Sequence, residues 1–100
     1  MMTVSAAEYR QINGVVRGDV QGVGFRAFAR RCAQQRGLSG WVRNLGDGSV
    51  EFLVEGENSI LVRFLADLRC GPPGSWVADL IIITDEPIAI PQLTAFSIAF

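Results

Sequence analysis

The 100-residue sequence contains no histidine and no lysine. Without histidine there is no Ser-His or Cys-His nucleophile pair, and most zinc and haem ligand sets are incomplete. Without lysine there is no P-loop cation for a nucleotide and no amine for a Schiff base. The two cysteines, Cys32 and Cys70, lie outside any CxxC pattern, so iron–sulfur ligation is excluded. No apolar run approaches the roughly 20 residues of a membrane-spanning helix. The first ten residues (MMTVSAAEYR) lack the basic stretch leading into an apolar one that marks a secretory signal. Formal charge is only −1, which offers no bulk attraction to nucleic acid or to an anionic membrane. With two thiols and no export signal, a reducing cytoplasm is the expected location.

Apolar residues make up 49% of the chain, enough for one small core. Residues 9–100 are expected to form one domain, preceded by a short extension over residues 1–8. Charge is unevenly spread. Residues 1–50 hold seven arginines against Glu8, Asp19 and Asp47, a net of +4. Residues 51–100 hold Arg63 and Arg69 against seven acids, a net of −5. An anion site is therefore to be sought in the first half.

Residues 9–17 are β-rich and read as a strand. Three glycines mark residues 18–24 as a loop. Phe25, Phe28, Ala29, Cys32 and Ala33 then form one helical stripe, which Gly37 is expected to end. Residues 39–44 predict a short strand, and Leu45-Gly46-Asp47-Gly48 a turn with a D-G signal. Val50, Phe52 and Val54 alternate with Glu51 and Glu55, which predicts a strand with its acids on the polar side. Asn58 is the expected N-cap of a second helix carrying Leu61, Phe64, Leu65 and Leu68, and Gly71-Pro72-Pro73 its stop. Residues 76–84 read as a long strand, and 96–100 as a short one. Trp41 and Trp76 are expected to pack in the core or against a sheet edge. The order βαββαβ, with a one-sided apolar face on each element, predicts an α+β ferredoxin-like sandwich: an antiparallel sheet with both helices on one face.

The chemical centre is Gly18-Asp19-Val20-Gln21-Gly22-Val23-Gly24-Phe25-Arg26. It runs from a strand, through glycines, into a helix N-terminus. Successive amides in such a turn converge into an anion nest, and the helix adds unpaired N–H groups at its positive end. Arg26 contributes a planar two-pronged donor suited to phosphate. The alternative is a plain strand-to-helix connection with a surface arginine. A third pattern is also met: Gly22-Val23-Gly24-Phe25-Arg26-Ala27 fits the dinucleotide fingerprint, with Asp47 twenty residues on. Its context fails, because Asp47 sits in a hairpin turn and the chain is too short for two mononucleotide halves.

Three segments together carry a family likeness: Val20-Gln21-Gly22-Val23-Gly24-Phe25-Arg26, Gly37-Leu38-Ser39-Gly40-Trp41-Val42-Arg43-Asn44, and Asp47-Gly48-Ser49-Val50-Glu51. Leu68-Arg69-Cys70-Gly71-Pro72 and the terminal Phe96-Ser97-Ile98 agree with it. Over residues 10–100 the chain resembles the acylphosphatase family. The resemblance implies the ferredoxin-like fold and the hydrolysis of acyl phosphates to carboxylate and inorganic phosphate, with neither metal nor cofactor. It makes Arg26 the residue that binds the substrate phosphate with the loop amides of Asp19, Val20, Gln21, Gly22 and Val23. It makes Asn44 the residue that positions the attacking water; on its own, Asn44 reads as an ordinary strand-end asparagine. Asp19 departs from the pattern, in which a basic or small polar residue is usual, and a carboxylate within about 6 Å of phosphate repels it.

The reaction fits so sparse a set of groups. The leaving carboxylate has a conjugate acid of pKa about 4 and departs unprotonated, so no general acid is needed. Phosphoryl transfer is loose in most analyses, so no strong base is needed either. What remains is to hold the phosphoryl oxygens, neutralise charge and place a water in line. The expected partners are thus a small acyl phosphate and its phosphate product, with no nucleic acid and no membrane, and the expected state is a monomer. The alternative is a non-catalytic acylphosphatase-like binding or regulatory module on the same fold, such as a single-stranded RNA binder, which would need exposed sheet aromatics and a basic surface.

Overall fold

Alternation of apolar and polar residues builds the middle of the sheet. In the first strand Ile12, Gly14 and Val16 are buried while Asn13 and Val15 turn the other way. Val50, Phe52 and Val54 do the same in the strand beside it. In the computed structural model, which describes residues 8–100, the elements run β1 (Tyr9–Asp19), α1 (Phe25–Gln35), β2 (Ser39–Asn44), β3 (Val50–Glu57), α2 (Asn58–Cys70), β4 (Trp76–Ile88) and β5 (Phe96–Ile98). The extension expected over residues 1–8 lies outside the described residues, apart from Glu8.

The strands form one sheet in the order β4-β1-β3-β2-β5. β1 pairs antiparallel with β3, from Tyr9↔Glu57 to Val16↔Val50, and with β4. β2 pairs antiparallel with β3, and β5 pairs parallel to β2. Helix α1 packs over β2 and β5, and α2 over β1, β3 and β4. Phe25, Ala29 and Ala33 from α1 and Leu61, Phe64 and Leu68 from α2 fill the space between helices and sheet. Phe64 meets Phe52 edge-on at 6.3 Å and Phe96 at 5.9 Å, the arrangement that ring quadrupoles favour. This is the expected ferredoxin-like sandwich. The parallel β5 makes its sheet mixed rather than wholly antiparallel.

Four local expectations are corrected. Asn58 is the first residue of α2 rather than its cap; Glu57 holds that place without a side-chain bond, and the Asn58 amide donates to the Glu8 carbonyl at 2.8 Å. β4 continues past Thr84 to Ile88. It runs through Pro87, which an edge strand tolerates because its outer N–H needs no partner. Trp76 opens that edge strand 63% exposed rather than packed. Glu55, expected on the solvated side of β3, is only 1% exposed. The segment between β4 and β5 runs from one edge of the sheet to the other past Glu55, which accepts from the Gln92 and Leu93 amides.

Candidate active site

The chain leaves β1 at Asp19 and enters α1 at Phe25 through a bend that contains two left-handed glycines, Gly22 (φ 74°) and Gly24 (φ 77°). A Cβ at either would meet nothing within 4 Å. Glycine is there for the backbone dihedral, not for crowding, and the space in front of the bend is open. Gly24 is the N-cap of α1, and no side chain caps the helix. The first turn closes with the Phe28 amide donating to the Gly24 carbonyl at 3.0 Å. Among the described residues, no amide from Gln21 to Ala27 donates to a backbone carbonyl. A run of free donors thus faces outward at the positive end of the helix dipole.

Phe25 is 2% exposed and anchors the first turn in the core. One residue on, Arg26 is rotated out of the core towards the bend. Its guanidinium carbon lies 5.4 Å from the centroid of the Phe100 ring, a cation–π separation. It forms no ion pair among the described residues. Asn44 is the last residue of β2. It shares a sheet face with buried Val42 but lies past the end of the core and is exposed.

Arg26 and Asn44 line one cavity of about 200 Å³, together with Val20, Gly22, Gly24, Phe25, Ala27, Ile98 and Phe100. Arg26 is its only charged wall residue among the described residues. Of the loop residues expected to form the cradle, Val20 and Gly22 line the cavity; Asp19, Gln21 and Val23 do not. Asp19 is exposed at the end of β1, paired in register with Trp76, and Val23 packs against the core. Gln21 turns its side chain the other way, where Nε2 donates to the Leu45 carbonyl at 2.7 Å and the Ser49 carbonyl at 2.8 Å. It ties the bend to the turn that follows Asn44. That turn is itself braced: the Leu45 amide donates to the Ser49 carbonyl at 2.8 Å, and Asp47 accepts from the Ser49 hydroxyl and, at 2.9 Å, from the Ser49 amide. The Ser49 hydroxyl first, and its amide second, hold the Asp47 carboxyl below the usual carboxylate range. Asp47 is thus a turn residue, as its sequence context required, and not a ribose ligand.

Sequence reasoning missed Ile98 and Phe100 as cavity walls. The parallel register Gly40↔Phe96, Trp41↔Ser97 and Val42↔Ile98, continued for two residues, brings Phe100 beside Asn44. The Ala99 amide donates to the Val42 carbonyl at 2.8 Å, one bond further along that register. A pairing between residues so far apart has no local signature.

Taken together, amides without carbonyl partners, one guanidinium, one neutral amide and an aromatic ring border one cavity. Fold and cavity define a ferredoxin-like α+β domain with one arginine-lined pocket at the start of α1. Known proteins share this fold. The acylphosphatase family model matches residues 12–98. An acylphosphatase from Azoarcus sp. (strain BH72) is 56% identical over 63 residues, which span 63% of this chain and 64% of that protein. The crystal structure of acylphosphatase from Bacillus subtilis is 40% identical with a TM-score of 0.85, covering 91% of this chain and 99% of that one. The structure of an acylphosphatase from Coxiella burnetii is 33% identical with a TM-score of 0.80, covering 92% and 94%. The chain belongs to the acylphosphatase family.

Proposed function

We propose that residues 9–100 form one acylphosphatase domain in which Arg26, the amides of the bend and Asn44 hydrolyse acyl phosphates, the reaction of the family, to carboxylate and inorganic phosphate. The observation that carries this reading is that Arg26 and Asn44 share one cavity with the free-amide bend. The cavity-lining amides of Gly22, Gly24, Phe25, Arg26 and Ala27 and the Arg26 guanidinium bind the phosphoryl oxygens and neutralise the charge that spreads over them in a loose transition state. Asn44, at the end of a paired strand, holds a water in line with the scissile P–O bond by donating or accepting a hydrogen bond. The water oxygen bonds to phosphorus, the P–O bond to the acyl oxygen breaks, and that oxygen keeps the electron pair as carboxylate. The water proton passes to a phosphoryl oxygen. No step calls on a metal or a cofactor. The enzyme acts as a monomer in the reducing cytoplasm, a reading supported by two free cysteines, Cys32 and Cys70. Among the described residues no helix is long and apolar enough to cross a membrane.

A nucleic-acid-binding role finds less support. On the open sheet face Trp41 lies under Arg43 at 5.3 Å, Arg43 is paired with Glu51 at 2.6 Å, and exposed Trp76 stands apart on the far edge strand β4. The test is hydrolysis of benzoyl phosphate by the purified chain with a chelator present. Turnover is expected without added metal and is lost in Arg26→Ala and in Asn44→Ala. Full turnover in either variant contradicts the reading.

A further inference from the structure

Glu55 is a buried carboxylate that the reaction above does not use. It lies on the sheet face opposite the helices and is 1% exposed. Its Oε2 accepts from Gln11 Nε2 at 2.7 Å. Its Oε1 accepts from two successive backbone amides, Gln92 and Leu93, each at 2.8 Å. Burial pushes the carboxyl up, but the amide of Leu93, the side chain of Gln11 and the amide of Gln92 outweigh it, so the group stays ionised. Gln92 and Leu93 belong to the segment that crosses the sheet from β4 to β5. Immediately after it, the Gly40 amide donates to the Ala95 carbonyl at 2.9 Å, Phe96 is buried, and β5 begins. β5 is only three residues long. Two residues past its end, Phe100 is fully exposed to solvent, and its ring faces the Arg26 guanidinium, whose central carbon is 5.4 Å from the ring centroid.

We propose that Glu55 is a positioning residue for acyl phosphate hydrolysis. It fastens the crossing segment to the sheet, sets the register of β5 along β2, and so holds Phe100 against the Arg26 guanidinium from the far end of the molecule. A strand of three residues at a sheet edge has few ladder bonds of its own. A charged acceptor with two parallel backbone donors is the strongest polar anchor on its approach. The consequence falls on Arg26, whose side chain has no other charged partner among the described residues. With Phe100 displaced, Arg26 samples more rotamers, and substrate and product phosphate both bind more weakly.

This rests on the reading of Arg26 as the phosphate ligand, and the experiment separates the two. Benzoyl phosphate hydrolysis and competition by inorganic phosphate are measured for Glu55→Leu, Glu55→Gln and Phe100→Ala, and for Glu55→Leu combined with Phe100→Ala. In Glu55→Leu, KM and the phosphate inhibition constant are expected to rise together by about threefold, with kcat changed less. Glu55→Gln keeps an Oε1 acceptor for both amides, its Nε2 donates to Gln11 Oε1 once the Gln11 amide turns over, and the variant is expected to stay near the unaltered protein. In the Phe100→Ala background, Glu55→Leu should add almost nothing, because the contact it supports is already gone. If the leucine variant does not fold, Glu55→Asp withdraws the same oxygen by one methylene and is judged by the same KM and phosphate shifts. A lowered melting temperature with KM and phosphate competition unmoved makes Glu55 merely structural and overturns the proposal. So does a full additional effect in the Phe100→Ala background. If instead Arg26→Ala keeps full turnover, it is the phosphate-site reading that fails.

Discussion

The two ends of helix α1 are finished in opposite ways. At its C-terminus the carbonyls of Cys32, Ala33 and Gln34 all accept backbone bonds. The Gly37 amide donates to the Gln34 carbonyl at 3.2 Å and the Leu38 amide to the Ala33 carbonyl at 2.9 Å, the paired bonds of a Schellman motif. Arg36 then grips Asp67 of α2 with Nε at 2.7 Å and Nη2 at 3.1 Å. At the N-terminus there is a left-handed glycine, no side-chain cap and a run of amides without carbonyl partners. Both ends use a glycine of positive φ, but one uses it to close the helix and the other to keep it open. An uncapped helix start forgoes stability. Under the proposed function the phosphoryl group of the substrate completes these donors, so that binding and capping are one event.

This contrast can be broken from either side. The largest effect is expected for Arg26→Ala, which should lower kcat/KM for benzoyl phosphate by about a hundredfold or more and weaken competition by inorganic phosphate, while the melting temperature stays close to that of the unaltered protein. Asn44→Ala should lower kcat by about a hundredfold, the scale of losing a positioned reactant. It should leave phosphate competition almost unchanged, which steady-state inhibition assays report. Gly24→Ala strains the open end: a non-glycine residue in the left-handed region costs about 1–2 kcal/mol, and phosphate affinity should fall with it. At the closed end, Gly37→Ala carries a similar left-handed penalty in thermal or chemical denaturation, yet kcat and KM should not move. If Gly24→Ala and Gly37→Ala behave alike in the activity assay, the contrast between the two ends is wrong.

The smallest effect is that of pH. Asp47 and Glu55 both have carboxyls held below their usual range, Asp47 by the Ser49 hydroxyl and Glu55 by hydrogen bonds that overcome its burial. Such groups add stability above the unfolded-state pKa, and that share is lost as pH falls through the lower folded value. Stability should therefore decline below about pH 4, as read by melting temperature across pH. Activity should vary little between about pH 6 and 8, because nothing in the cavity wall titrates there.

Much of this fold was legible because local chemistry and global packing agree. β2 runs from Ser39 to Asn44 as its residues predict, α1 starts at Phe25, and the helical stripes become the core. The bend into α1 was legible for the same reason: glycines, a strand before and a helix after leave few other conformations. What stayed hidden depends on contacts between distant residues. Glu55 follows the alternation of a half-solvated strand, and only the crossing segment turns it into a buried anchor. Phe100 and Ile98 reach the cavity through a parallel pairing that no periodicity announces. Gln21 read as part of the anion loop, yet its side chain faces the neighbouring turn, a direction set by the carbonyls of Leu45 and Ser49. Asn58 was read as a cap because of its type. The chain entering from Glu57 places it one residue inside the helix, with its amide already paired.

The most direct test is a titration with inorganic phosphate followed by backbone amide chemical shifts of the uniformly labelled protein. The account predicts that the amides of residues 21–27 shift together, that those at the closed end of α1 around Gly37 do not, and that Arg26→Ala weakens the response while Asn44→Ala preserves it. Phosphate that leaves the 21–27 amides unmoved, or that shifts them equally well without Arg26, contradicts it.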